Sequence, residues 1–216
     1  MAFAKDYLKE KLFKDEVGRM TRELFRLGFL PYDGFGEVSV RDNETGKIYG
    51  SIKPGSFHVV TPDDYHGSEF AVLDADGKQL NDILPAADGL ALHVAVYKAR
   101  PDVTAIIRTN SHWASQFAQR GEVIPFVLEE LIYLGGSVRC VTDAPTLDAA
   151  YCQKVVEALG EKRTGATMKD YGTIAVAENL DTALMYLGWI ESVAQKVAMA
   201  SALGEVKVVG GYDDLI

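Results

Sequence analysis

Arg108 and Asn110 stand two residues apart at the exit of a β-rich run, residues 103–109. Residues two apart on a strand share a face, so the spacing directs both side chains toward one point at the end of a sheet. A guanidinium beside an amide is a donor-rich pair, suited to a carboxylate or a phosphate. Nothing in the sequence pairs histidines for a metal. His58, His66, His93 and His112 do not fall at helix or strand spacing from one another, and the distance between Cys140 and Cys152 matches no standard thiolate motif. Ser111 and His112 follow Asn110 directly, with the imidazole read as a solvated or helix-capping group.

The elements that must hold these residues are legible on both sides. Ala91, Leu92, Ala95, Val96 and Ala99 recur at helical spacing until Pro101-Asp102 stops the helix. His93 falls on that helix, where a buried imidazole bonded to backbone is expected. Upstream, Leu8, Leu12, Val17, Met20, Leu24 and Leu27 predict one face of a long opening helix that ends near Gly28. Residues 34–41 alternate as a strand; further strands are expected at 47–53, 57–61, 70–73 and 138–141, with a turn at 53–56. Helices are expected at 113–118, at 127–134 with Gly135-Gly136 as its stop, and at 147–159. A strand at 173–177 leads to a long apolar helix capped by Asp181 and running to about Leu203. Helices and strands in this order predict an α/β chain: one three-layer α/β/α domain around a mainly antiparallel sheet.

Bulk properties agree with a single globular unit spanning 1–216. The chain has 216 residues, 48% of them apolar and 25% charged, enough for one full core. Its net charge of −9 argues against nucleic acid as a partner, because phosphate backbones are bound by clustered Lys and Arg. No apolar run spans a bilayer and no signal peptide is visible, so the expectation is a cytoplasmic protein, not membrane-bound, with both thiols free. The closing helix is apolar on more than one side, at Leu184, Met185, Leu187, Trp189, Ile190, Val193, Val197 and Met199, which suits burial in a core or against a neighbouring subunit.

The segment from His93 to Ser111, HVAVYKARPDVTAIIRTNS, resembles the class II aldolase/adducin family over about residues 15–204. That family runs His-x-x-x-Tyr-x-x-x-Pro-Asp, then a strand ending His-x-His-Ser. Its two imidazoles and a third in a later Asn-His-Gly hold zinc in catalytic members. Here Arg108 and Asn110 replace the first two, and Tyr171, in Lys169-Asp170-Tyr171-Gly172, replaces the third. Glu37 stands where the family's Gly-Asn-x-Ser-x-Arg strand has an Asn that helps hold a substrate phosphate. Pro85-Ala86-Ala87-Asp88 resembles the family's Pro-Ser-Ser-Glu, which supplies phosphate-binding hydroxyls and the general acid/base. Asp88 keeps a carboxyl group, yet it lies five residues before His93 instead of four, a register difference that turns a helical side chain by about 100°.

The resemblance therefore implies the family fold with its zinc ligands replaced and no cofactor. An arginine offers no lone pair to a metal. Arg108 is left with two readings: a cation filling the metal position and pairing with Glu37, Asp88 or Asp170, or a binder of a small anionic ligand. Glu37, Arg108, Asn110 and Tyr171 are the candidate pocket residues, and Asp88 is the candidate catalytic acid. Two functions follow: a non-catalytic or divergent member, for which adducin is the family's precedent, or an enzyme using a remodelled site on a small carbonyl or sugar-like substrate. Glu129 and Glu130 precede the Gly-Gly turn, with a solvated helix face as their expected place. Catalytic members commonly form cyclic tetramers with sites between subunits, so a homo-oligomer, with a tetramer favoured, is implied.

Overall fold

A computed structural model describes residues 2–30, 36–53, 69–81, 84–142 and 146–208. The elements run α1 (Ala2–Arg26), β1 (Gly36–Arg41), β2 (Ile48–Gly50), β3 (Ala71–Leu73), α2 (Leu90–Ala99), β4 (Ala105–Thr109) and α3 (Ala114–Arg120). They continue with α4 (Glu130–Tyr133), β5 (Cys140–Val141), α5 (Ala149–Leu159), β6 (Gly165–Met168), β7 (Gly172–Ala177) and α6 (Leu180–Ser201). The seven strands form one sheet in the order β3-β2-β1-β4-β7-β6-β5. Every pairing is antiparallel except β5 with β6, as the sequence led one to expect.

Two apolar layers sandwich this sheet. Leu90, Leu92, Val94 and Val96 of α2 and Val155 and Leu159 of α5 pack on Ile106, Ala166, Ile174 and Val176. On the other face, Val17, Met20 and Leu24 of α1 and Ala183 and Leu187 of α6 cover Val38, Val40, Ala105 and Ile107. A third cluster joins α3 and the 124–138 segment to the second half of α6 through Ile190, Val193 and Val197. Strand alternation sends even-numbered β4 side chains to the α2/α5 layer and odd-numbered ones to the α1/α6 layer. That parity places Arg108 beneath α2.

Several sequence expectations are corrected in detail. Leu8, Leu12 and Leu27 are exposed, at 59%, 68% and 43%, because the buried face of α1 is Val17, Met20 and Leu24. In α2 the same shift occurs: Ala91 and Ala99 are exposed, whereas His93, Val94 and Tyr97 go inside. The helix expected at 127–134 shortens to α4, and the strand expected at 138–141 to β5. Asn179, not Asp181, caps α6, its Oδ1 accepting from the Thr182 amide at 2.8 Å. Asp181 lies in the first turn, paired with Arg19 at 2.9 Å. Strand β6 was not anticipated. Its Gly-Ala-Thr-Met run lacks bulky β-formers, and Ile190 fills the space a side chain on Gly165 would take. The turn expected after Lys53, the strand at 57–61, His58 and His66 lie outside the described residues, as does most of the tail; residues 205–208 are not strand. No helix among the described residues is long and apolar enough to cross a membrane.

Candidate functional site

Arg108 and Glu37 are directly opposed partners of β4 and β1, so their side chains leave the sheet side by side on the α2 face. Both are buried, at 5% exposure each. The guanidinium meets the carboxylate in a two-pronged pair: Nε donates to Oε2 of Glu37, and Nη2 donates to Oε1 at 2.7 Å. Nη1 donates to the main-chain carbonyl of Tyr171 at 2.7 Å. Each guanidinium nitrogen thus has a protein acceptor, and of the three partners considered for Arg108 the fold selects Glu37.

The reason lies one helix away. A Cβ on Gly89 would sit 2.5–2.8 Å from the Glu37 carboxylate atoms. Gly89 stands four residues before His93, the spacing at which the family places its acid. The side chain is missing from that position, and the carboxylate of Glu37 reaches into the space from the neighbouring strand. Asp88 itself turns outward, its side chain 80% exposed, and pairs with Lys53 at 2.9 Å. The sequence therefore nominated the right carboxylate in Glu37, and in Asp88 one that lies apart from the cluster.

His93 completes the buried layer. It is 0% exposed, and its Nδ1 shares a hydrogen bond of 2.8 Å with Ser39 Oγ, which also contacts Tyr97 Oη at 2.8 Å. Its partner is thus a side chain and not the expected backbone. Burial, with the Arg108 charge nearby, pushes its pKa down to about 3, so the imidazole is neutral. Burial likewise pushes the Tyr97 hydroxyl well above its ordinary range. Tyr171 packs its ring on Tyr151, with centroids 5.3 Å apart.

Asn110 departs from the expected convergence. Strand β4 ends at Thr109, and Asn110 is exposed. Its Oδ1 lies over Gly172, where a Cβ would run into both that oxygen and the Thr109 carbonyl. Gly172 has φ +82° and Asp170 before it φ +67°, so this tight β6–β7 turn needs a glycine at 172 and uses an Asp in the left-handed region at 170. Asn110 faces a separate cavity of about 270 Å³, lined by Asn110, Ser111, His112, Ser115, Gln116, Gln119, Asp170 and Gly172. The start of α3 at this cavity is held by Glu191 of α6, which accepts from the amides of Trp113 at 2.6 Å and Ala114 at 2.9 Å. Glu129 is exposed and Glu130 pairs with Lys196 at 3.4 Å, so neither joins the cluster. Cys152 is buried and Cys140 half-buried, both as free thiols raised in pKa by burial.

The residues at the family's metal position do not fit zinc. Zinc needs several N, O or S donors converging on it. Here one position carries a permanent cation already bound to a carboxylate, and another carries an amide turned toward a different cavity. Ser111, Ser115, Asp170 and Gly89 carry the rest of the local design. Only the Gly89-to-His93 spacing could have flagged any of them in the sequence.

An antiparallel-centred α/β domain with a buried polar cluster at one sheet end places the chain among class II aldolase-type folds. Residues 15–197 match the Class II Aldolase and Adducin N-terminal domain, and the chain belongs to that family. It is similar to 5-deoxy-D-ribulose 1-phosphate aldolase of Bacillus thuringiensis serovar kurstaki, 23% identical over 91% of this chain and 89% of that protein. It is also similar to the L-ribulose-5-phosphate 4-epimerase UlaF of Salmonella typhi, 28% identical over 59% of this chain and 54% of the epimerase. Among solved structures, an L-fuculose 1-phosphate aldolase superposes with a TM-score of 0.83 at 21% identity, covering 91% of this chain and 90% of that one. The L-fuculose-1-phosphate aldolase of Thermus thermophilus gives 0.71 at 20% identity, covering 89% and 97%.

Proposed function

We propose that this chain is a class II aldolase/adducin-family protein that has replaced the family's zinc site with an internal ion pair and does not carry out zinc-dependent aldol chemistry. The observation that carries the reading is the full occupation of the Arg108 guanidinium by Glu37 and the Tyr171 carbonyl. A group so engaged is a structural cation that balances a buried carboxylate. It is not free to receive a small anion, so the scaffold reading of Arg108 is preferred over the ligand-binding one. The role this supports is that of a non-catalytic or divergent family member, assembled as a homo-oligomer.

The second reading is an enzyme acting on a small carbonyl or sugar-like substrate through a remodelled site, and it is favoured by the cavity that opens beside the ion pair at Asn110 and Asp170. Elemental analysis of the purified protein, with an aldol-cleavage assay on sugar 1-phosphates in added Zn²⁺, tests the proposal. The expected result is substoichiometric zinc and no zinc-dependent cleavage. Tightly held stoichiometric zinc together with cleavage would overturn it.

A further inference from the structure

Buried hydroxyls gather on one side of the β4–β7 end without partners. Thr109 and Thr173 are register partners, both 0% exposed, and neither Oγ1 has a hydrogen-bond partner within the described protein. The same holds for Ser111, also 0% exposed, and for the buried Oγ of Ser115. Each such group left unpaired costs about 1–3 kcal/mol, and native proteins keep few of them. Four within one sheet end and the adjoining helix start are not explained by packing. Two of the four residues, Ser111 and Ser115, line the 270 Å³ cavity, and the other two are the chain neighbours of its wall residues Asn110 and Gly172.

The remaining wall defines what would satisfy them. Asn110, His112 and Gln116 add donors and acceptors, and Asp170 adds the one carboxylate. No lysine or arginine is in the wall, and the segments outside the described residues contain none in sequence. A phosphate dianion calls for such cations and would here face Asp170. The volume equals about nine waters at ~30 Å³ each, room for a short polyol and not for a drug-sized molecule.

We infer that the cleft between the start of α3 and the β6–β7 turn binds a small, uncharged, polyhydroxylated molecule, an unphosphorylated polyol or sugar of a few carbons. Ser111 and Ser115 bond its hydroxyls from below, and Asn110, Gln116 and Asp170 bond them at the rim. This site is separate from the Glu37–Arg108 pair, and the inference does not depend on the fate of the metal position. Zinc content tests that reading, and polyol titration of the metal-stripped protein tests this one.

The experiment is calorimetric titration and thermal-shift measurement on the full chain with erythritol, ribitol and D-ribose, each beside its monophosphate. The neutral probes should bind saturably and raise Tm, and their phosphates should bind at least tenfold more weakly. Ser111→Ala should weaken the neutral probe about fivefold, as for one lost hydrogen bond. Gln116→Ala, at an exposed position that folding does not need, should weaken it similarly. Asp170→Asn, which keeps a residue tolerant of the left-handed backbone, should narrow the gap between neutral and phosphorylated probes. No saturable binding of any neutral probe would mean that water alone satisfies the hydroxyls and would overturn the inference. Equal or tighter binding of the phosphates, or unchanged affinity in both Ser111→Ala and Gln116→Ala, would overturn it too.

Discussion

Arg108→Met removes the cation and leaves the Glu37 carboxylate buried at 5% exposure with its two strongest donors gone. The side chains of the pair are 7% and 6% exposed, so solvent screens the interaction little. Breaking such a pair from one side costs about 3–5 kcal/mol. For a chain of this size each kcal/mol moves Tm by about 2–4 °C, so a fall of roughly 6–20 °C is expected. Removing both charges together, in Glu37→Met/Arg108→Met, should recover most of that loss, because apolar residues of similar volume replace buried pairs at little cost or with a gain of about 1–4 kcal/mol. Urea denaturation followed by circular dichroism, run as a double-mutant cycle, reads both outcomes. If Arg108→Met lies within about 1 kcal/mol of the natural protein, the guanidinium is solvated and the internal ion pair does not hold. A double variant that loses the sum of the two singles would refute the coupling just as firmly.

Two further expectations rest on particular side chains. His93 is buried neutral, with its pKa lowered to about 3 from an unfolded value of about 6.5. Its contribution is full above the unfolded value and is lost as pH falls from about 6.5 toward 3, since the unfolded state takes up the proton first. The natural protein should therefore lose about 1 kcal/mol between pH 6 and 5 that His93→Gln does not lose; parallel pH profiles would contradict the burial argument. Gly172→Ala forces a Cβ into the Thr109 carbonyl and Asn110 Oδ1 at φ +82°. It should cost more than about 3 kcal/mol, beyond the strain of a left-handed alanine alone. Gly28→Ala, at φ +76° with nothing within 4 Å of the added Cβ, should cost only about 1 kcal/mol. Urea midpoints of the two variants check the contrast.

Much of the fold could be read from periodicity. The 3.6-residue pattern located α1, α2, α5 and α6, and alternating β-branched runs located β1, β4 and β7, because these elements each bury one continuous face. The same logic failed where local pattern is weak. In β6, Gly165 and Ala166 carry no bulky side chain, and tertiary packing against Ile190 supplies what propensity does not. The α1 stripe was drawn too long at both ends, since hydrophobicity marks what can be buried and only the neighbouring sheet decides what is.

At the site the division is sharper. Residue types alone determined that Arg108 cannot ligate a metal and that Glu37, Asn110 and Tyr171 depart from the family's donors, because protonation and lone pairs are properties of the side chain and not of its surroundings. Which carboxylate neutralises Arg108 was open to Glu37, Asp88 and Asp170. Cross-strand register put Glu37 opposite it, and the missing Cβ at Gly89 left room for the carboxylate. The parting of Arg108 and Asn110 was equally beyond the sequence. Alternation holds only while the strand lasts, and β4 ends at Thr109, where the glycine turn at 172 draws Asn110 to a different cavity. Side-chain chemistry was thus written in the sequence, and the choice of partners came from register, strand length and one glycine, which act between residues far apart along the chain.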